Sequence, residues 1–138
     1  MTTSDAPFAA RLGRVTARLD DLGVDALMVS VGPDLPWLTG YEAMPLERLT
    51  MAVVTRDGRC TLVVPALEAP RVVARDHVEI VPWGESDDPI ALVTERVGAA
   101  TRIAFGDRTW PGSSSRSRTV SLTPRSYGPT RSPARCAR

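Results

Sequence analysis

The sequence predicts an α/β domain: a mixed sheet of about five strands with flanking helices, by typical element counts. Three observations carry that expectation. A helical period over residues 8–22 runs directly into a short apolar segment. Two β-rich runs lie on either side of an Asp-Gly pair, and helix-like and strand-like segments then alternate as far as Phe105.

Phe8, Leu12, Val15, Leu19 and Leu22 recur at spacings of three and four, which gathers them on one helical face and leaves Arg11, Arg14, Arg18 and Asp21 on the other. Gly23 stops this helix, because glycine reaches positive φ without steric cost, and 25–30 reads as a short buried strand. Gly32-Pro33-Asp34 is a turn. Asp34 is placed to cap a short helix through Trp37 and Leu38 that Gly40 ends. A loop over 41–47 follows. Residues 49–55 and 60–64 are strand-like, and Arg56-Asp57-Gly58-Arg59 between them signals a hairpin. Pro65 opens a predicted helix to about Arg75, with 77–81 as the next strand. Asp87 and Asp88 precede Pro89 and a helix to about Val97, whose positive end they cap and complement. The last strand is 102–105.

The chain has 138 residues, the size of one compact domain, and its 43% hydrophobic content, 24% charged content and net charge of +1 describe an ordinary globular protein. Nothing in the global charge argues for nucleic acid. The first residues lack a basic cluster followed by an apolar core, and no apolar run approaches the roughly 20 residues that cross a bilayer. No membrane association and a cytoplasmic location are therefore expected. Cys60 and Cys136 are too few and too far apart for a disulfide framework or a zinc knuckle.

Several residues invite chemistry and receive a plainer reading. A histidine can serve as a general base or metal ligand, but His77 has no spaced acidic or thiol partner, so a solvent-facing or structural place at a strand end is expected. Asp20-Asp21 and Asp87-Asp88 point about 100° apart on a helix, which favours surface and capping roles over a shared metal or proton. Cys60 reads as a small buried hydrophobe. Trp37 and Tyr41 divide between core packing and a surface that meets a partner.

The helix over 11–22 leading into Gly23-Val24-Asp25-Ala26-Leu27, the segment Trp37-Leu38-Thr39-Gly40-Tyr41, the hairpin and the closing Ile103-Ala104-Phe105-Gly106-Asp107 resemble the amino-terminal domain of the creatinase/prolidase family over residues 8–110. The most specific piece, Trp-Leu-Thr-Gly-Tyr, is similar to the Tyr-Leu-Thr-Gly-Phe type of segment in Xaa-Pro aminopeptidases and prolidases. The resemblance implies a domain that precedes a catalytic "pita-bread" domain. There, two Asp, one His and two Glu bind two divalent metals, often manganese, which activate a water against a peptide bond next to proline. It also implies that the present domain supports oligomer contacts and helps wall the substrate channel, with Trp37 and Tyr41 as its candidate surface residues. None of the ligand motifs can be placed, since the sequence holds one histidine. No catalytic, cofactor-binding or metal residue is expected, and the chain alone is expected not to be an enzyme. Its partners would be further copies of itself or a separate catalytic domain.

After Arg108 there is no Asp or Glu, and residues 111–138 are rich in Ser, Pro and Arg. Such a composition does not build a core element, so the domain is expected to end near Trp110 with a disordered tail beyond it. Every basic residue is Arg and none is Lys, which suggests a gene rich in G and C. With freely chosen wobble bases, one extra base after the Trp110 codon permits a reading with acids and apolar periodicity, so a frameshift into an out-of-frame tail is expected. The sequence also admits two other functions: a stand-alone binding or assembly module and, less well supported, a nucleic-acid binder acting through Ser113 to Arg118.

Overall fold

The computed structural model describes residues 5–45 and 47–106, together with the backbone of 119–121. Helix α1 spans Ala6–Leu22 and buries Leu12 and Leu19, two turns apart on one face. Pro7 sits in its first turn, where a missing N–H costs nothing. Gly23 closes it at φ 61°, and the Val24 N–H reaches back to the Leu19 carbonyl at 2.9 Å, a Schellman closure whose apolar residue, Val24, is buried.

Strand β1 (Ala26–Ser30) leads to helix α2 (Asp34–Thr39). The cap of α2 is Pro33, with no side-chain hydrogen bond, and not Asp34 as the sequence suggested. Asp34 instead lies in the first turn, where its charge complements the helix dipole. Strands β2 (Met51–Thr55) and β3 (Cys60–Pro65) form the expected hairpin, with Gly58 at φ 94° in the turn.

The helix expected from Pro65 to about Arg75 is absent, and only a 3-10 turn at Ala69–Arg71 forms. Pairing of Pro65 with Trp83 explains this, because it holds Pro65 in the sheet while the Ala66 N–H donates to the Trp83 carbonyl at 2.8 Å. Pro70 lacks a donor, and Val72 and Val73 are β-branched, so little favours a longer helix. Strand β4 (Glu79–Trp83) begins two residues after the sequence expectation, and His77 lies in the turn closed by the Arg75–Val78 bridge. Helix α3 (Pro89–Val97) and strand β5 (Arg102–Phe105) follow.

The six-stranded sheet has the order β4-β3-β2-β1-β5-β6, where β6 is Thr119–Ser121 antiparallel to β5. The tail thus contributes an edge strand that its composition did not announce. The remainder of the expected disordered tail, and the Ser113 to Arg118 stretch, lie outside the described residues. The β3–β4 and β1–β5 pairs are parallel and the others antiparallel, which makes the sheet mixed.

Period-two alternation sends Leu27, Val29, Ala52, Val54, Leu62 and Val64 to the face covered by α1 and α2. Met28, Met51, Val53 and Val63 face the other way, where Val93 of α3 packs on them. Among the described residues no helix is long and apolar enough to cross a membrane.

Candidate functional site

The Trp37-Leu38-Thr39-Gly40-Tyr41 segment fills the end of α2 and the turn after it, and each residue has a distinct task. Leu38 is in the core. The Thr39 hydroxyl donates to the Leu35 carbonyl at 2.8 Å and accepts from the Tyr41 N–H at 3.2 Å, so the helix end and the turn are tied through one buried oxygen. Gly40 takes φ 74°, and a Cβ there would lie 2.5 Å from an Arg75 guanidinium nitrogen. The positive φ favours glycine, and a Cβ would also displace the Arg75 guanidinium.

The structure separates the two residues singled out as surface candidates. Tyr41 is 5% exposed, and its hydroxyl donates to the Glu68 Oε2 at 3.1 Å. Burial, then this carboxylate, push its phenol above the ordinary value of 10.0. Trp37 is 42% exposed on the surface of α2. Arg11 and Arg14 of α1 stand over its ring, 5.3 and 5.8 Å from the centroid, and Arg11 donates to the Trp37 carbonyl at 2.9 Å.

Reasoning from the sequence missed Arg75. Its guanidinium lies 3.9 Å above the Phe8 ring, donates through Nε to the Thr39 carbonyl at 3.0 Å and pairs with Asp5. The Arg75 and Asp5 side chains are 9% and 15% exposed, so this is a nearly dry ion pair joining α1, α2 and the turn before β4. His77 belongs to the same corner: its ring stacks on Phe8 at 6.4 Å, and its Nε2 is buried with no hydrogen-bond partner among the described residues.

The remaining candidates are structural. Asp20 pairs with Arg56 at 2.6 Å, Asp87 accepts from the Gly84 N–H at 2.7 Å, and Asp88 caps α3 through the Ile90 and Ala91 N–H groups. Burial raises the Cys60 thiol from 9.0 to about 12, which leaves it protonated and unreactive at neutral pH.

A polar cavity of about 550 Å³ at the hairpin end of the sheet is lined by Asp25, Arg56, Asp57, Arg59, Glu79 and Arg96, among others. Its charges answer one another: Arg59 pairs with Asp57 at 2.8 Å, Arg96 with Glu79 at 3.7 Å and Arg56 with Asp25 at 3.9 Å. Among the described residues no three His, Cys, Asp or Glu side chains converge as a metal site needs.

The chain is 33% identical over 97 residues to the probable dipeptidase PepE of Mycobacterium tuberculosis, a match covering 67% of this chain and 26% of that protein. The crystal structure of dipeptidase PepE from Mycobacterium ulcerans superposes with a TM-score of 0.62 at 33% identity, over 71% of this chain and 28% of that one. The creatinase/prolidase N-terminal domain of an X-Pro dipeptidase from Streptococcus pyogenes shares the fold, with a TM-score of 0.64 at 24% identity over 73% of this chain and 79% of that one. The chain spans about a quarter of the length of the curated relatives it matches. The family model for the creatinase/prolidase N-terminal domain matches residues 11–125, and the chain belongs to that family.

Proposed function

We propose that this chain is the non-catalytic N-terminal domain of an Xaa-Pro dipeptidase-like metallopeptidase, acting on a metal-bearing catalytic domain rather than on substrate by itself. The observation that carries this is the difference in coverage. The match takes in 79% of the solved Streptococcus pyogenes N-terminal domain but only 28% of the Mycobacterium ulcerans dipeptidase chain. The exposed Trp37 with Arg11 and Arg14 supplies the surface for oligomer contacts or for one wall of a substrate channel, while Tyr41 is buried. Two divalent metals, such as manganese, belong in this reading to the catalytic domain, where they would activate water.

Incubation of the purified chain with manganese and a short Xaa-Pro peptide tests the proposal. No release of the amino-terminal residue is expected, and appreciable manganese-dependent cleavage overturns it. The change of composition after Trp110 fits the same reading as a one-base frameshift. Resequencing the gene and about a kilobase downstream should show the shifted frame and a metal-ligand domain. A tail encoded as written, with no such domain after it, overturns the fragment reading.

A further inference from the structure

We propose that the surface where α1 meets α2 binds a protein segment that presents carboxylates beside one apolar side chain. The inference rests on the reading of this chain as a non-catalytic domain that acts on a catalytic domain, and it specifies the chemistry of a segment held at this surface. An apolar cleft of about 190 Å³ opens there between Val15 of α1, Leu27 and Val29 of β1, and Trp37 and Leu38 of α2, with Asp34 also in its lining. An apolar cavity of about 150 Å³ accommodates a benzene ring, so this cleft takes one aliphatic or aromatic side chain.

Charge selects the occupant. Among the described residues Arg48, Arg56, Arg59, Arg71, Arg75 and Arg96 each have a carboxylate within ion-pair distance. Arg11, Arg14, Arg18 and Arg102 have none; Arg102 stands alone in β5, whereas the other three lie three and four residues apart along α1, and two of them flank the exposed Trp37 ring. Arg11 and Arg14, three residues apart, repel each other, Asp21 offsets only the Arg18 end of the stripe, and carboxylates brought by a partner relieve the repulsion that remains. Trp and Arg are also the residue types in which interface binding energy concentrates. The partner's carboxylates lie over Arg11 and Arg14 of α1, while its apolar side chain enters the cleft beside Trp37, which Asp34 also lines. A nucleic-acid strand fits less well, because the cleft is apolar and suits an aliphatic or aromatic side chain.

Fluorescence anisotropy on the full chain tests this with three labelled probes: the peptide Asp-Glu-Leu-Phe-Glu-Asp, the peptide Lys-Lys-Leu-Phe-Lys-Lys and an oligouridylate. The acidic peptide should bind about tenfold more tightly than the basic one, and added salt should narrow the gap. Trp37→Ala should weaken the acidic peptide about tenfold, as expected for an interface anchor, and Arg14→Glu should remove the preference for acid. Both side chains lie on the surface, so unchanged circular dichroism checks that the variants fold. Equal binding of the two peptides, acidic-peptide binding untouched by Trp37→Ala, or tighter binding of the oligouridylate overturns the proposal. A dimer that forms without peptide and that Trp37→Ala dissociates in sedimentation assigns the surface to a second copy, and also overturns it. Failure of the peptides leaves the domain's non-catalytic role standing, whereas manganese-dependent cleavage by the chain ends that role without altering the peptide result.

Discussion

At the scale of single residues, Arg75 ties α1, α2 and the turn before β4 together. It meets Thr39 across 36 positions of sequence and Asp5 across 70, and it covers the Phe8 ring. Arg75→Ala leaves Asp5 as an unpaired charge in a nearly dry corner, a loss that costs about 3–5 kcal/mol when a buried pair is broken. Chemical denaturation should show it, and Arg75→Lys should recover little, because lysine cannot cover the ring and reach the Thr39 carbonyl with the same planar group. No periodicity could have revealed a residue whose partners are so distant. Trp37 and Tyr41, by contrast, were legible as a pair, since one recognisable segment contains both; which of them faces solvent depended on the helix ending at Gly40. Tyr41→Phe removes the hydrogen bond to Glu68 and should cost about 1 kcal/mol. Cys60 gives a pH-dependent test. Its folded thiol sits near 12 against an ordinary 9.0, so the native state holds that proton more tightly than the unfolded chain. The stability it supplies is complete below pH 9.0 and is lost as pH rises toward about 12. In a Cys136→Ser background a thiol reagent at pH 8 should label the chain in urea and not in buffer.

At the scale of elements, agreement with the sequence followed local rules and disagreement followed long-range pairing. Helix α3 starts where Asp88 precedes Pro89, and the carboxylate receives the Ile90 and Ala91 N–H groups at 2.9 and 3.2 Å. That cap was readable because it needs only neighbours in sequence. Asp88→Ala should lower stability by about 1 kcal/mol, measured by thermal or urea unfolding. The helix expected after Pro65 failed because the partner that keeps Pro65 in the sheet, Trp83, arrives later in the chain. Asp25 shows the same dependence on distance. Its Oδ2 accepts from the Arg102 N–H and from both the N–H and hydroxyl of Thr101, which anchors the start of β5 beside β1. Those bonds, led by the Arg102 and Thr101 amides, hold its carboxyl below the ordinary 3.8. Its stabilising effect is therefore present above pH 3.8 and lost as pH falls through the lower folded value. Asp25→Asn should flatten the acid limb of the stability profile, and an unchanged limb would show that other carboxylates control it.

At the scale of the whole molecule, the class of fold was legible and the wiring was not. Strand alternation located both apolar faces, but the placement of β5 beside β1 requires α3 to carry the chain back across the sheet, which no local pattern encodes. The consequence is one sheet with a core on each side. Leu62 and Val63 are adjacent in β3, both fully buried, and face opposite layers. Leu62→Ala opens a cavity under α1 and α2 and should cost about 2–5 kcal/mol. Because the two layers share every central strand, that loss should propagate to the α3 side. The indoles report the layers separately: Trp37 stands with α2, while Trp83 packs in the α3 layer and donates to the Leu49 carbonyl at 2.9 Å. With Trp110→Phe as background, Trp37→Phe and Trp83→Phe variants each leave one indole to follow during urea unfolding. Coincident midpoints, both lowered together by Leu62→Ala, are expected of a single cooperative unit. If the Trp83 signal keeps its midpoint while the Trp37 signal shifts, the sheet does not couple its two faces, and α3 with its strands unfolds as an independent unit.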